Sequence, residues 1–200
     1  MKVIGITGTS GSGKSTLSSW LAAQGYPVID GDAVSRELAV PGSPYVAALV
    51  REFGPEICDA AGNLQRRALA ARAFAAPEGQ RRLTALTTPL IQKEIAARIA
   101  RARDAGAELL FLDGALIIDT PFQQFCDTII AVLSDEQTQL ARICRRDGVS
   151  EAAARDRLAR QMPAPQLRAR ADYVLENNGT EADFLRAAGQ LLQRIKEPTR

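Results

Sequence analysis

The chain has 200 residues, 46% of them hydrophobic and 24% charged, with a net charge of +2 and no histidine. That length suits one domain, or one core with sizeable insertions, and so small a net charge makes no general case for nucleic-acid binding. The missing histidine excludes His-based triads, His metal sites and His acid–base pairs, which leaves a carboxylate, a lysine, a tyrosine or water as any general base.

Residues 3–6 (VIGI) read as a short buried strand, and 14–24 as a helix with Leu17, Trp20 and Leu21 on one face and Gly25 as its stop. Residues 27–30 read as a second strand, giving strand, loop, helix, strand, the unit of a parallel sheet. From 31 to 106 the pattern turns helical, with apolar faces at Val46, Leu49, Val50 and Phe53 and at Leu90, Ile91, Ile95 and Ile99. This is more chain than a simple crossover needs, and it predicts an inserted helical subdomain that holds a substrate. Residues 109–113 and 128–133 read as strands and 136–146 and 151–161 as helices, with Ser150 as an N-cap. Pro163 and Pro165 break that run, 173–175 form a fifth strand, and Phe184, Ala188, Leu191, Leu192 and Ile195 mark a last amphipathic helix.

The expected fold is therefore α/β, a three-layer P-loop NTPase type with a five-stranded parallel sheet flanked by helices, a helical substrate subdomain and a lid. The nucleotide-binding core covers about 1–30, 107–140 and 171–200, the helical insertion about 31–106 and the lid about 141–170. Cys58, Cys126 and Cys144 are far apart in sequence and form no C-x-x-C, so neither a disulfide framework nor a zinc site is expected. The opening apolar run is too short for a signal peptide, and no run of about 18 apolar residues offers a membrane span. The reading is a cytoplasmic protein with no membrane and no nucleic-acid partner, monomeric or weakly homo-oligomeric.

The stretch from Gly8 to Ser15 (GTSGSGKS) fits G-x-x-x-x-G-K-[ST]. Glycines at 8, 11 and 13 let main chain approach a phosphate, and successive N–H groups make an anion nest at the start of a helix. Gly8, Gly11, Ser12, Gly13, Lys14, Ser15 and Thr16 are the candidate nucleotide-binding residues. Lys14 would reach the β- and γ-phosphates, and Ser15 offers Mg²⁺ a hard oxygen, with Asp32 a further candidate ligand. The loop alone does not separate kinases, GTPases and ATP-driven machines. A GTPase would need N-K-x-D, which is absent, and a motor would be longer, so a small phosphotransferase remains.

In such folds the acceptor binds beyond the carboxyl ends of the strands, where Asp30 and Asp32 stand, with Asp113 at the end of the third strand. Asp30-Gly31-Asp32 reads either as a turn with a helix cap or as an acceptor site in which Asp32 orients a hydroxyl and takes its proton late. Of 25 basic residues 21 are arginine, and eight of these lie between Arg142 and Arg170. That enrichment reads as coding bias and solvated helix faces, or as phosphate recognition. Arg142 and Arg146, one helical turn apart, are the candidates for a lid over a triphosphate.

Taken together, these segments resemble the dephospho-coenzyme A kinase family, over roughly residues 2 to 195. The matching pieces are GSGKST (11–16), VIDGDAVSREL (28–38), GNLQRRAL (62–69), TPLIQKEI (88–95), QLARICRRDGVS (139–150), RLARQM (157–162) and ADYVLENNG (171–179). The resemblance implies transfer of the ATP γ-phosphoryl to the ribose 3′-hydroxyl of dephospho-CoA, the last step of coenzyme A synthesis, with Mg²⁺. It implies Asp32 as the base, with Lys14, Arg142 and Arg146 at the phosphates. Asp30, Arg36 and Thr88 fall on the acceptor side. The chain departs from the family pattern at Gly31 (usually Ala), Thr88 (usually His), Ala115 (usually Pro) and Leu167 (often Lys). The alternatives are another small-molecule or nucleotide P-loop kinase, or a catalytically silent nucleotide-binding regulator.

Overall fold

The computed structural model describes residues 1–197, so the last three positions of the expected core segment 171–200 lie outside the described residues. The chain forms two compact units, one of Met1–Val28 with the chain from Ala102 onward, the other of Ile29–Arg101.

The first unit is built on a sheet. The strands are β1 (Lys2–Thr7), β2 (Val28–Asp30), β3 (Leu109–Asp113), β4 (Thr128–Leu133) and β5 (Tyr173–Glu176), the division between the units falling within β2. Among the described residues they form one five-stranded sheet in the order β2-β3-β1-β4-β5. The β1–β3, β1–β4 and β4–β5 pairs are parallel, with Lys2 opposite Leu109, Ile4 opposite Thr128 and Ile130 opposite Tyr173. All six residues of β4 are buried, which is why its sequence, TIIAVL, does not alternate: a parallel strand covered on both faces reads as a near-continuous apolar run.

Two aspartates set the register. Asp127, just before β4, accepts the Val3 N–H on its carboxylate at 2.7 Å while its own N–H donates to the Val3 carbonyl at 2.8 Å. Asp172, just before β5, does the same to Ile129, at 2.7 and 3.0 Å. Each ladder thus begins on a two-point clamp, and a one-residue slip would lose both bonds and turn the buried faces outward.

The helices are α1 (Lys14–Ala23), α2 (Gly31–Leu38), α3 (Pro44–Phe53), α4 (Arg66–Ala73), α5 (Pro77–Asp104), α6 (Glu136–Asp147), α7 (Glu151–Ala159), α8 (Ala164–Arg170) and α9 (Glu181–Lys196). In the sheet unit, Leu17 and Leu21 of α1 and Phe184, Ala188, Leu191 and Leu192 of α9 pack with Ile4, Ile6, Phe111 and Val132 in one core. The Tyr26 ring meets Phe111 edge-on, centroids 5.5 Å apart. Leu140, Ile143 and Ala154 join α6 to α7. Cys126 packs against Gly5, and burial pushes its thiol up to about 12. Ser150 caps α7 as expected. Helix α8 was not expected, because Pro163 and Pro165 read as breaks. Pro163 is its N-cap and Pro165 lies in its first turn, where a missing N–H costs nothing.

The helical unit has its own core of Tyr45, Val46, Leu49, Phe53, Ile57 and Ala73, with Leu86, Leu90 and Ile91 of α5 packed on it. Arg72 donates to the Phe53 carbonyl at 2.6 Å and closes the end of α3. Arg98 pairs with both Glu37 and Glu94 and so ties α5 to α2. Helix α5 runs through Pro89, and Thr87 turns its hydroxyl onto the Leu83 carbonyl one turn back, at 2.8 Å. No described helix is long and apolar enough to cross a membrane.

The clamps at the strand starts predict that Asp172→Ala lowers stability by about 1–3 kcal/mol, the value of a hydrogen bond to a charged acceptor. Urea unfolding would show a lower midpoint with an unchanged slope.

Candidate active site around the phosphate loop

Strand β1 ends at Thr7 and the chain turns through 8–13 into α1. Gly11 and Gly13 hold φ of +75° and +106°. A Cβ on Gly13 would stand 2.0 Å from Asn177 Nδ2, and one on Gly11 2.8 Å from the Gln139 carbonyl oxygen. The loop therefore needs glycine twice over, for its backbone angles and because other chain packs directly on its outer side.

That packing is polar. Asn177, only 5% exposed, donates from Nδ2 to the Ser12 carbonyl at 2.8 Å. Its Oδ1 accepts from Arg142 Nη2 at 3.3 Å, and Arg142 Nη1 donates to the Gly11 carbonyl at 3.2 Å. Gln139 donates to the Ser134 carbonyl, and the Ser134 hydroxyl to the Asn177 carbonyl, both at 2.8 Å. Helix α6, through Arg142, and the turn after β5, through Asn177, thus grip the loop's carbonyls from behind.

The other side is left open to an anion. Helices α2, α3, α6, α7 and α9 are each capped by a side chain, from Asp30, Ser43, Asp135, Ser150 and Thr180. Helix α1, which follows Gly13, has no side-chain cap and no acidic residue in its first turn; α4 and α8 share that lack, and α1 differs from them in opening directly from the glycine loop. Its positive end and first N–H groups are what a phosphate takes up. Lys14 Nζ donates to the Gly8 carbonyl at 2.7 Å and lies 3.4 Å from that of Thr9. The Ser12 and Thr9 hydroxyls are buried without a hydrogen-bond partner. A buried polar group left unmet in a native fold calls for a ligand or water, and the loop fits a polyphosphate on that count.

For a metal, Ser15 is exposed in the first turn of α1, and Asp113, the last residue of β3, accepts the Ser18 hydroxyl at 2.6 Å. Among the described residues no cluster of three or more Cys, Asp or Glu could hold an ion by itself. A hydroxyl and a carboxylate are nonetheless hard oxygen donors of the kind Mg²⁺ takes when phosphates complete its shell.

The sheet unit thus brings Gly8, Gly11, Ser12, Gly13, Lys14, Ser15, Thr16 and Arg142 together. Arg146 instead forks onto Asp147, at 2.7 and 2.9 Å, and its hydrogen bonds, helped by Arg157, hold that carboxyl down to about 2. In the helical unit Asp30 caps α2 through the Ala33 N–H at 2.9 Å and pairs with Arg36 at 3.3 Å. Both readings of Asp30-Gly31-Asp32 therefore keep a foothold: Asp30 is a cap, and Asp32 is exposed in the first turn of α2. Thr88 is half-buried in α5, directly before Pro89. Sequence reasoning assigned no role to Asn177, Gln139 or Gln161, and noted Asp113 only as the residue at the end of the third strand. All three amides lie in quoted segments, ADYVLENNG, QLARICRRDGVS and RLARQM, but no local pattern says that an amide there reaches the loop near the start of the chain.

The dephospho-CoA kinase family model matches residues 2–183. A dephospho-CoA kinase of Anaeromyxobacter dehalogenans is 39% identical over 196 residues, covering 98% of this chain and 93% of that protein. Among solved structures, a Thermus thermophilus protein superposes with a TM-score of 0.83 at 33% identity, covering 98% of each chain. The dephospho-CoA kinase of Campylobacter jejuni superposes with a TM-score of 0.67 at 21% identity, covering 97% of each chain, a likeness of fold.

The loop geometry predicts that Gly13→Ala loses ATP. The side chain would be forced into Asn177 at a positive φ that costs about 1–2 kcal/mol by itself. Titration calorimetry should show ATP affinity lower by at least about tenfold.

Proposed function

The chain belongs to the dephospho-CoA kinase family, and from that premise we propose how its residues divide the work of an ATP-dependent kinase acting on dephospho-CoA. The observation that carries the donor half is the uncapped start of α1 behind a glycine loop, with Lys14 folded against the Gly8 carbonyl.

ATP enters with its β- and γ-phosphates on the loop N–H groups and on Lys14, whose ammonium exchanges loop carbonyls for phosphate oxygens. Ser15 would hold Mg²⁺, with Asp32 or Asp113 as a candidate carboxylate oxygen beside it. When bound, the ion would supply positive charge against that of the phosphates. Arg142 keeps the loop's carbonyls turned outward, and Arg146 is the second lid cation, released from Asp147 when a triphosphate competes for it.

On the acceptor side, Asp32 orients the ribose 3′-hydroxyl of dephospho-CoA and takes its proton as the new O–P bond forms. The bond between the γ-phosphorus and the β–γ bridging oxygen breaks, and ADP leaves with that oxygen. Little base strength is needed, because such transfers depend on positioning and charge stabilisation. Arg36, aligned by Asp30, anchors an acceptor phosphate, and Thr88 gives the acceptor a hydrogen bond. In this reading the enzyme works in the cytoplasm as a monomer or weak homo-oligomer, with ATP and dephospho-CoA as its partners.

The test is an acceptor screen in Mg²⁺ and ATP, with dephospho-CoA, adenosine, nucleoside monophosphates and shikimate. Dephospho-CoA should be the preferred acceptor; failure with it and turnover of another would overturn the reading. Asp32→Asn should lower kcat about a hundredfold or more while ATP still binds. A parallel loss of ATP binding would make Asp32 a metal or structural residue instead.

A further inference from the structure

The loop residue Ser10 is held by a side chain 151 residues further along the chain. Its N–H donates to Gln161 Oε1 at 2.8 Å, and Gln161 Nε2 donates to its hydroxyl at 3.1 Å. The backbone N–H can only donate, so it fixes which end of the amide faces it. Gln161 stands just after α7 and before α8, its own N–H bound to the Leu158 carbonyl at 3.0 Å, so the joint between the two helices is itself anchored. It lines a cleft with Thr7, Gly8, Thr9, Leu116 and Met162.

We propose that Gln161 is a positioning residue for phosphoryl transfer: its amide ties the α7–α8 joint to the crown of the phosphate loop and thereby aims Lys14. Ser10 follows Gly8 and Thr9, whose carbonyls receive the Lys14 ammonium, and precedes Gly11, whose carbonyl Arg142 holds. Arg142 and Asn177 fix the second half of the loop; in its first half Lys14 closes on the Gly8 and Thr9 carbonyls from within the motif, and Gln161 holds Ser10 from outside it. With the tie cut, Ser10 can rotate and the two carbonyls that orient Lys14 move with it. The tie also gives Ser10 a function: its hydroxyl completes a two-bond fit that alanine or glycine would halve.

The kinetic arm of the test rests on the kinase reading above; a second arm does not. Hydrogen exchange on ligand-free protein, followed at the Ser10 amide, should be protected in the wild type and at least about tenfold faster in Gln161→Ala. Equal exchange in the two proteins overturns the tie. In turnover, Gln161→Ala should lower kcat about tenfold, with KM for dephospho-CoA within about twofold and the melting temperature lowered by no more than about 5 °C. Ser10→Ala should cost less, and should cost nothing further in the Gln161→Ala background, because its hydroxyl acts through Gln161. Additive losses, or a loss confined to KM for dephospho-CoA, overturn the positioning role. A wild-type enzyme that fails to phosphorylate dephospho-CoA would sink the kinase reading instead, and the exchange experiment still decides the tie.

Discussion

A helix that is to receive a phosphate at its N-terminus must go without a cap. Helix α1 meets this demand at the end of a glycine loop; α4 and α8 are uncapped too but follow no such loop, and α2, α3, α6, α7 and α9 keep their caps. A missing cap costs about 1 kcal/mol, and a buried hydroxyl without a partner about 1–3 kcal/mol. Ser12 and Thr9 add two such hydroxyls. The ligand-free loop is thus electrostatically unmet on one side, and it can hold its shape only if something grips the other.

The grip comes from three places distant in sequence. Asn177 holds the Ser12 carbonyl from the turn after β5, Arg142 holds the Gly11 carbonyl from α6, and Gln161 holds Ser10 from the α7–α8 joint. All three depend on β4 and β5 standing in fixed register, and Asp127 and Asp172 start those ladders. The polar network that shapes the site is therefore an extension of the sheet. It leaves the inward side of the loop to the nucleotide, which fits the family to which the chain belongs.

Much of this was legible in the sequence. The glycine spacing, Lys14 and Ser15 named the loop because each has a local physical reason to be there. The strand, loop, helix, strand order at the start of the chain named a parallel sheet, and the apolar runs of β1, β3 and β4 marked its strands. Ser150 named the start of α7. Legibility ended where a residue acts across a long sequence separation: Asn177 and Gln161 are ordinary amides until the fold brings the loop to them, and Asp127 and Asp172 look like turn residues. Helix α8 was missed because prolines 163 and 165 signal a break and a helix start with equal force. Arg146 matched the spacing of a lid pair, yet Asp147 beside it offers a fork that spacing alone does not weigh.

The central claim is that the loop is built before ATP arrives and is held from behind. Backbone and side-chain amide signals followed by NMR during titration with Mg²⁺ and ATP test it most directly. The account predicts sharp signals for Gly11, Gly13, Lys14 and Ser15 in the free protein that shift on binding, while the Asn177 side-chain amide stays where it is. Loop signals broadened away in the free protein, or an Asn177 amide that moves as far as the loop does, would contradict it.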